Sequence, residues 1–567
     1  MLVRLRPVVQ ATPTPDGLHL RGWTSNCTLS GGAGLWKVWQ RLAPQLSAGV
    51  VRADLEAPDA APAVRAAVAL IVEQLWEHDM LVEMPGWGAD APSADVVAWL
   101  ESAAAEPVEA WRRLRGVTVV VSGNGVVAGA AVRAAEAVGL AVETAAACAE
   151  EAVPGRSAAA GKAGSESIAG QPVRAGASES AAGPPSQAGA SESTTRQPVQ
   201  AAASENVAGQ PTASPVVESA SARDLSLSAG GLTVVAECGT EVGYVLPPTT
   251  EASLSLNTEV TMRTSARLGL TGEPTGVLAT LIGCAAVHRL VCAVAGLPDP
   301  AGELTSGSAG YPMALVAHAS PLTATYHPIL QGPPPQDPWH ALDALTDAEL
   351  GPVDTPEFGA LPQVPANLAT SGTALGIGTT ADAARLDAAL HALKCDGVIG
   401  IDDVHARGGA LRRAARHHRG EPADPEEWTG DPTAHRWWKA LTARFAVPAV
   451  VRADRLADGV YRAEIRDKHQ VLAWAVEATA ADAVAFAALA AAGFAQAGWA
   501  GTAHLNGAAP TRTADQPAWV TRQWHWPADV RESEERLQRA IALLPGIDIR
   551  PVELDPELRA AGLRAYR

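Results

Sequence analysis

The feature that most constrains this chain is a tandem repeat that cannot fold. Between about Ala152 and Ala222 the sequence is mainly Ala, Gly, Ser, Pro, Gln and Glu, with no aromatic residue. AGASESAAGPPSQ from Ala175, AGASESTTRQPVQ from Ala188 and AAASENVAGQPTA from Ala201 repeat with a period of 13 residues, and a shorter copy, AGSESIAGQPVR, starts at Ala163. Solenoid repeats run to about 20–50 residues and carry large apolar positions in every unit. This unit has neither property and cannot bury enough surface to offset its conformational entropy. The sequence therefore predicts a disordered linker over 151–222, dividing the chain. A second, shorter break is QGPPPQDP, Gln331 to Pro338.

The rest is long enough for several cores. At roughly 150 residues per domain, 567 residues predict three or four domains. The 61 acidic residues outnumber the 43 Lys and Arg, leaving a net charge of −18. No basic stripe is available to neutralise phosphates, so nucleic acid is not an expected partner. The six cysteines include no C-x-x-C pair and are too few for a disulfide scaffold, which suits a reduced, cytoplasmic setting. The opening MLVRLRPVVQ alternates like a strand and has no apolar signal core behind it. The uncharged stretch Ala483–Ala503 is mostly Ala, too weakly apolar for a bilayer span, and reads as a buried helix. No membrane association is expected.

The N-terminal segment reads strand, strand, strand, helix, helix. Val3–Gln10 alternates, and Leu18–Trp23 alternates again after the turn TPDG. Cys27–Ser30 is short. Gly34–Leu46 sets Leu35, Val38, Trp39 and Leu42 on one helix face, and Ala61–His78 does the same with Val64, Ala67, Val68, Ile71 and Leu75. DMLVE then reads as a wing strand. The opening VRLRPVVQ, the NCTLSGGAG turn and VRAAVALIVEQLWEHDMLVE together resemble a PqqD-like winged helix, the recognition element of ribosomal peptide biosynthesis. The resemblance covers residues 1–85. It implies that a precursor's leader peptide adds as a strand to the third strand and rests on the last helix. By position the edge is Asn26, Cys27, Thr28, Leu29 and Ser30, and the groove involves Arg65, Val68, Ala69 and Val72. The alternatives are a winged helix that only packs on its neighbour, or one that binds DNA.

Gly116–Leu140 reads strand, glycine turn, helix. VTVVV is followed by SGNGVVAGAA, in which Gly123, Gly125 and Ala128 match G-x-G-x-x-A, and Glu143 follows about twenty residues on, where a ribose-binding carboxylate would sit. A nucleotide site and a structural tight turn are both open readings. After the repeat come the strand LTVVAEC, the apolar helix Pro274–Ala295 and the paired strands Ala314–Leu330. VVVSGNGVVAGAAVRAAEAVGL, the small-residue helix and the closing ATYHP together resemble the ThiF-like domain of azole-peptide cyclodehydratase partner proteins, over 86–150 plus 223–330. Relatives of that kind often carry paired C-x-x-C zinc motifs, and this chain has none. Cys284, His288 and Cys292 lie at i, i+4 and i+8, but successive steps drift by about 40° around a helix and a fourth ligand is missing. No metal is expected.

From Asp343 onward the chain resembles the opening of a YcaO domain. Gly376, Gly378, Thr379 and Thr380 read as a turn, followed by a helix whose apolar stripe is Ala383, Leu386, Ala389, Leu390 and Leu393. The resemblance implies glutamates on that helix to hold Mg²⁺ around ATP. His391, Lys394 and Cys395 stand there instead, and AVAFAALAAAGFAQAG (Ala483–Gly498), the counterpart of a later acidic helix, has no acid. Residues 343–567 therefore read as a degenerate, non-catalytic YcaO-like domain. The basic run RRAARHHRG (Arg412–Gly420) reads as a solvated loop, with an acidic partner as the other option. HRWWKAL and Trp524–Trp526 are aromatic-rich, suited to interface anchors or to the core. No G-x-S-x-G, H-E-x-x-H or P-loop motif is present.

The combined expectation is a multidomain α/β chain: an N-terminal winged helix, a Rossmann-type ThiF-like domain and a C-terminal α+β YcaO-like domain. Its expected role is a non-catalytic partner that binds a precursor's leader and presents it to a separate YcaO cyclodehydratase, in the making of a thiopeptide-like product. It needs no cofactor or catalytic residue of its own, ATP and Mg²⁺ being placed on the partner enzyme. A homodimer is allowed. The rival reading is a nucleotide- or NAD(P)-binding enzyme working through Gly123, Gly125, Ala128 and Glu143.

Overall fold

Pro7 breaks the alternating N-terminal stretch in two in the computed structural model, which describes residues 2–145 and 223–567 apart from 24, 57–60, 251–252, 275, 305–309, 335–337, 469, 499–502 and 505–527. The repeat over 151–222 and the cluster Trp524–Trp526 lie outside the described residues. The described stretches on either side of the repeat belong to one compact unit, a mixed α/β structure built on several sheets.

Proline has no amide hydrogen for a ladder, and the Val9 N–H turns back to the Arg6 carbonyl at 3.0 Å. Two strands result, β1 (Leu2–Leu5) and β2 (Gln10–Thr14). β3 (Gly17–Arg21) and β4 (Asn26–Ser30) follow β2 in an antiparallel sheet ordered β2-β3-β4. Next come α1 (Gly34–Ala48), β5 (Val50–Val51), α2 (Pro62–Glu77) and β6 (Leu81–Met84). The expected wing strand does not join β2–β4. It pairs with β1, giving a second small sheet, β5-β1-β6. The core sits where Leu18, Leu20 and Leu29 meet Leu35, Trp39 and Leu42 of α1 and Val68, Ile71 and Leu75 of α2. Apolar spacings of three and four on both helices place those side chains on one face.

α3 (Ala94–Ala103) and α4 (Pro107–Arg115) lead into the middle of the chain. Glu101 is 1 % exposed and accepts hydrogen bonds from Arg4 Nη1 at 2.5 Å and Trp87 Nε1 at 2.6 Å. Arg6 Nη1 donates to the Glu101 and Ala104 carbonyls at 2.9 and 2.8 Å. These bonds tie β1 to α3.

β7 (Thr118–Gly123), α5 (Gly125–Val138) and β8 (Ala141–Ala145) form one parallel βαβ unit. Beyond the repeat, β9 (Asp224–Ala229) runs antiparallel to β7. β10 (Leu232–Cys238), β11 (Val242–Val245), β12 (Thr249–Thr250), α6 (Leu254–Leu268), α7 (Gly276–Ala295), α8 (Pro300–Leu304), β13 (Met313–Ala319) and β14 (Leu322–Pro328) complete the region. The sheet order is β14-β13-β11-β10-β9-β7-β8, with β12 on β10. Only β7 and β8 are parallel, so the Rossmann-type expectation reduces to a single βαβ unit at one edge. Short turns between neighbours, such as Gly230–Gly231 between β9 and β10, can only join antiparallel strands.

The last third holds α9 (Pro338–Leu345), the hairpin β15 (Asn367–Ser371) and β16 (Ala374–Gly378), α10 (Ala381–Ala392), β17 (Val398–Gly400), α11 (Asp403–Ala415), β18 (Glu421–Pro422), α12 (Glu426–Thr429) and α13 (Pro432–Lys439). β19 (Val450–Ala457), β20 (Val460–Arg466), β21 (Val471–Glu477), α14 (Ala480–Ala497), β22 (Ala503–His504), α15 (Ala528–Ala542), α16 (Pro556–Ala560) and β23 (Arg564–Tyr566) follow. β18 to β22 form a sheet in chain order. α14 packs on β20, β21 and α13 and is buried continuously from Ala483 to Ala492. It and α7 are long and apolar enough to cross a membrane, yet both are core helices here. Trp437 is core as well, at 1 % exposure.

Candidate peptide-binding site

The β3–β4 ladder pairs Leu18 with Leu29, His19 with Thr28 and Leu20 with Cys27. Beyond one end, the Gly22 N–H reaches the Ser25 carbonyl at 2.8 Å; beyond the other, the Gly31 N–H reaches the Asp16 carbonyl at 2.8 Å. Hydrogen-bonded and non-bonded pairs alternate along an antiparallel ladder. The bonded pairs are therefore Leu20–Cys27 and Leu18–Leu29. The N–H and C=O groups of Asn26, Thr28 and Ser30 point away from β3. Among the described residues no strand pairs with that edge, and none of these groups bonds to another backbone group. His19 Nδ1 and Thr28 Oγ1 sit 2.8 Å apart, as the closer side chains of a non-bonded pair allow.

The predicted edge thus divides by parity. Asn26, Thr28 and Ser30 offer their backbone outward. Cys27 and Leu29 turn their backbone to β3 and their side chains to the core, where Leu29 is 5 % exposed. Burial, with the Glu77 carboxylate adding to it, pushes the Cys27 thiol above its ordinary pKa. Ser25 Oγ donates to the His78 carbonyl at 2.5 Å. This bond sets the start of β4 beside the end of α2.

The four groove residues predicted on α2 fare differently. Val72 is half-buried against the same core as Cys27 and Leu29. Arg65 and Ala69 are exposed. Val68 lines a cavity of about 540 Å³ between α1 and α2 that Gly31, just past β4, also lines. Lys37, Val38, Arg41, Leu42, Leu55 and Val64 share it. The sequence reading missed the α1 side, because Leu35, Val38 and Leu42 were read only as a core stripe. The basic pair Lys37 and Arg41, one helical turn apart beside that stripe, was the available signal.

The first glycine of the turn packs tightly against a neighbouring strand. Gly123 has φ +143°, and a Cβ on it would lie 2.5 Å from the Asp224 carbonyl oxygen of β9. Gly125 opens α5 with φ +76°, and Ala128 is buried in the core of the middle sheet. Glu143 is exposed on the edge strand β8, opposite Val120. Gly123 lies three positions beyond Val120, roughly 10 Å along a strand. Packing against β9 accounts for Gly123, and Glu143 stands on the strand beside it. The helical trio is dispersed: His288 packs edge-on against Trp99 at 6.2 Å, Cys284 is exposed and Cys292 is buried. Among the described residues no group of three His, Cys, Asp or Glu is placed to hold a metal.

In the last third of the chain, Gly376 and Gly378 are not a loop but part of β16. A Cβ on Gly376 would run into the Ala384 carbonyl of α10, and one on Gly378 would lie 2.7 Å from the Ala383 Cβ. Close strand–helix contact fixes both. Thr380 caps the helix, accepting the Ala383 N–H at 3.1 Å. The helix ends at Ala392, so Lys394 and Cys395 fall beyond it. A hard cation takes several oxygen ligands, and the His391 face of α10 carries one carboxylate, Asp387, which accepts the Ile377 N–H at 3.0 Å.

The basic run also departs from expectation. Arg412 belongs to α11 and is 1 % exposed. Its Nη2 donates to Glu477 at 2.8 Å and its Nη1 to Glu534 at 2.6 Å. Gln538 donates to Glu534 at 2.8 Å. The expectation of solvation fails at Arg412, because an arginine surrounded by carboxylates from two other elements can be buried, while Arg413, His417 and Arg419 are exposed.

The chain matches no protein-family model and no curated protein. Among solved structures it is similar to a heterocyclase in complex with substrate and cofactor, at 10 % identity and TM-score 0.48 over 100 % of this chain and 94 % of that one. It is similar to the heterocyclase TruD at 10 % identity and TM-score 0.45, again over 100 % and 94 %. The E. coli protein MccB, with AMPCPP and MccA, is similar over 58 % of this chain and 97 % of that one, at 8 % identity and TM-score 0.30. Likenesses this distant carry no weight for function, which rests on the chain's own geometry.

Proposed function

We propose that this chain is a leader-peptide-binding, non-catalytic partner of an ATP-dependent YcaO cyclodehydratase that closes azoline rings in a ribosomal peptide. The observation that carries the reading is the open β4 edge, with the backbone of Asn26, Thr28 and Ser30 directed outward. An extended peptide adds there as a fourth strand: main-chain bonds supply affinity, and neighbouring pockets choose side chains. The cavity beside Val68 and Val38, at the end of the same strand, suits one apolar leader residue.

The partner role rests on the resemblance of residues 1–85 and of the middle domain to cyclodehydratase partner proteins, and on the missing carboxylates at the YcaO-like helices. Tethering the leader raises the effective concentration of the core peptide at the enzyme. The chain itself activates no amide, and a cytoplasmic setting suits the reading. The test is fluorescence anisotropy of a labelled azoline-precursor leader peptide titrated with the full-length chain. The wild type binds, and Thr28→Pro weakens binding tenfold or more, about 1.4 kcal/mol. Equal affinity of the two proteins contradicts the reading.

A further inference from the structure

A cavity of about 380 Å³ lies where α10, β17 and α11 meet Trp474 of β21. Its polar lining is Asp387, His391, His405, Arg413 and Arg416. The volume falls within the range of about 300–1,000 Å³ typical of small-molecule sites.

The charges in it do not balance. Arg416 stacks its guanidinium 5.0 Å from the centre of the Trp474 ring, and its Nε is buried without a hydrogen-bond partner. Its backbone is fixed from behind, since Arg462 Nη1 donates to the Arg416 and His418 carbonyls at 2.7 and 2.8 Å. Neither Arg413 nor Arg416 forms an ion pair among the described residues, although the chain has an excess of acids and pairs many other arginines, such as Arg412 with Glu477 and Glu534. The one carboxylate present, Asp387, accepts the Ile377 N–H at 3.0 Å and lies 3.6 Å from His391 Nδ1. His405 Nδ1 accepts the Ile401 N–H at 3.3 Å, which leaves the ring's proton on Nε2. Two permanent cations therefore face one engaged acid in a half-closed space. A partly buried guanidinium without a counter-ion is costly, and its planar fork matches oxyanions two atoms at a time.

We propose that this cavity binds a phosphate-type oxyanion directly, through Arg413 and Arg416, without a divalent metal. The donors needed for an anion are present, whereas the oxygen ligands that a hard cation requires are not. The site is separate from the β4 edge and stands or falls independently of leader binding.

The experiment is isothermal titration of inorganic phosphate into the full-length chain at low ionic strength, with EDTA present. Saturable one-site binding is expected. Arg413→Gln, on an exposed side chain, and Arg416→Gln should each weaken it about tenfold or more, the loss of one charge-assisted contact. Arg419→Gln, outside the cavity, should leave it unchanged. Thermal melting without phosphate checks each fold, and Arg413→Gln carries the test if Arg416→Gln does not fold. ADP should compete: equal affinity means that the phosphate group alone is read, and tighter ADP binding means that the nucleoside is held too. No saturation by about 10 mM phosphate, binding untouched by both Arg substitutions, or binding that requires Mg²⁺ overturns the proposal.

Discussion

Gly123 and Asp224 meet across the β7–β9 ladder so closely that a methyl group on the glycine would lie 2.5 Å from the aspartate's carbonyl oxygen. Two residues far apart in sequence, on either side of the 13-residue repeat, thus share one strand junction. Gly123, the first glycine of the fingerprint, is required by that junction. Gly123→Ala combines this clash with an unfavourable φ of +143° and should cost about 1–3 kcal/mol. Urea denaturation measures it. Leader affinity of the folded protein should not change, because β4 belongs to another sheet.

Strand parity makes two neighbouring prolines behave differently. The Thr28 N–H points to the open edge, and proline is tolerated on edge strands at such positions. Thr28→Pro should keep its fold and lose the leader. The Cys27 N–H belongs to the ladder with Leu20, so Cys27→Pro should lose about 1 kcal/mol or more of stability. Thermal melting of the two variants side by side checks the contrast.

Some of this was legible in the sequence. The apolar spacings of Leu35, Trp39 and Leu42 and of Val68, Ile71 and Leu75 gave both N-terminal helices, because burying one stripe is a local, periodic demand. The five-residue edge was found, but its division into outward Asn26, Thr28 and Ser30 and inward Cys27 and Leu29 was not. Hydrogen-bond parity depends on where β3 begins and ends. Pro7 was the visible clue to two opening strands, and alternation on both sides of it hid the break. The single βαβ unit was recognisable from its strand, turn and helix. The antiparallel remainder follows from pairings across the repeat, which no local pattern encodes. Arg412 read as a surface charge because its partners, Glu477 and Glu534, lie 65 and 122 residues away.

Arg412, Glu477 and Glu534 carry one excess negative charge in the core. Burial raises the Glu477 pKa more than Arg412 lowers it, and the Glu534 charge adds to the rise. For Glu534, burial is outweighed by Arg412 and Gln538, which hold it below the usual carboxylate range. Arg412→Met leaves two carboxylates unpaired and should cost about 3–5 kcal/mol. Glu477→Gln removes the excess charge while keeping one donor–acceptor pair, and should be neutral or stabilising in chemical denaturation at pH 7.

Asp347 gives a pH prediction. Burial alone would raise its pKa, but the bond with His327 Nδ1 at 3.0 Å and the Leu350 and Glu349 amides at 2.8 and 3.0 Å hold it lower than usual. A carboxyl depressed in the folded state adds stability above its unfolded pKa of about 3.9 and loses it as pH falls toward the folded value. Asp347→Asn should therefore destabilise the protein at neutral pH, and the difference from wild type should shrink on acidification below about pH 4. Denaturation midpoints measured across that range check the sign.

The most direct test of leader capture is residue-resolved amide hydrogen exchange of the full-length chain, with and without saturating leader peptide. Protection should appear at Asn26, Thr28 and Ser30, whose N–H groups gain a partner, while Cys27 and Leu29, already bonded to β3, change little. Unchanged exchange at all three outward amides under saturating leader would contradict strand addition at β4.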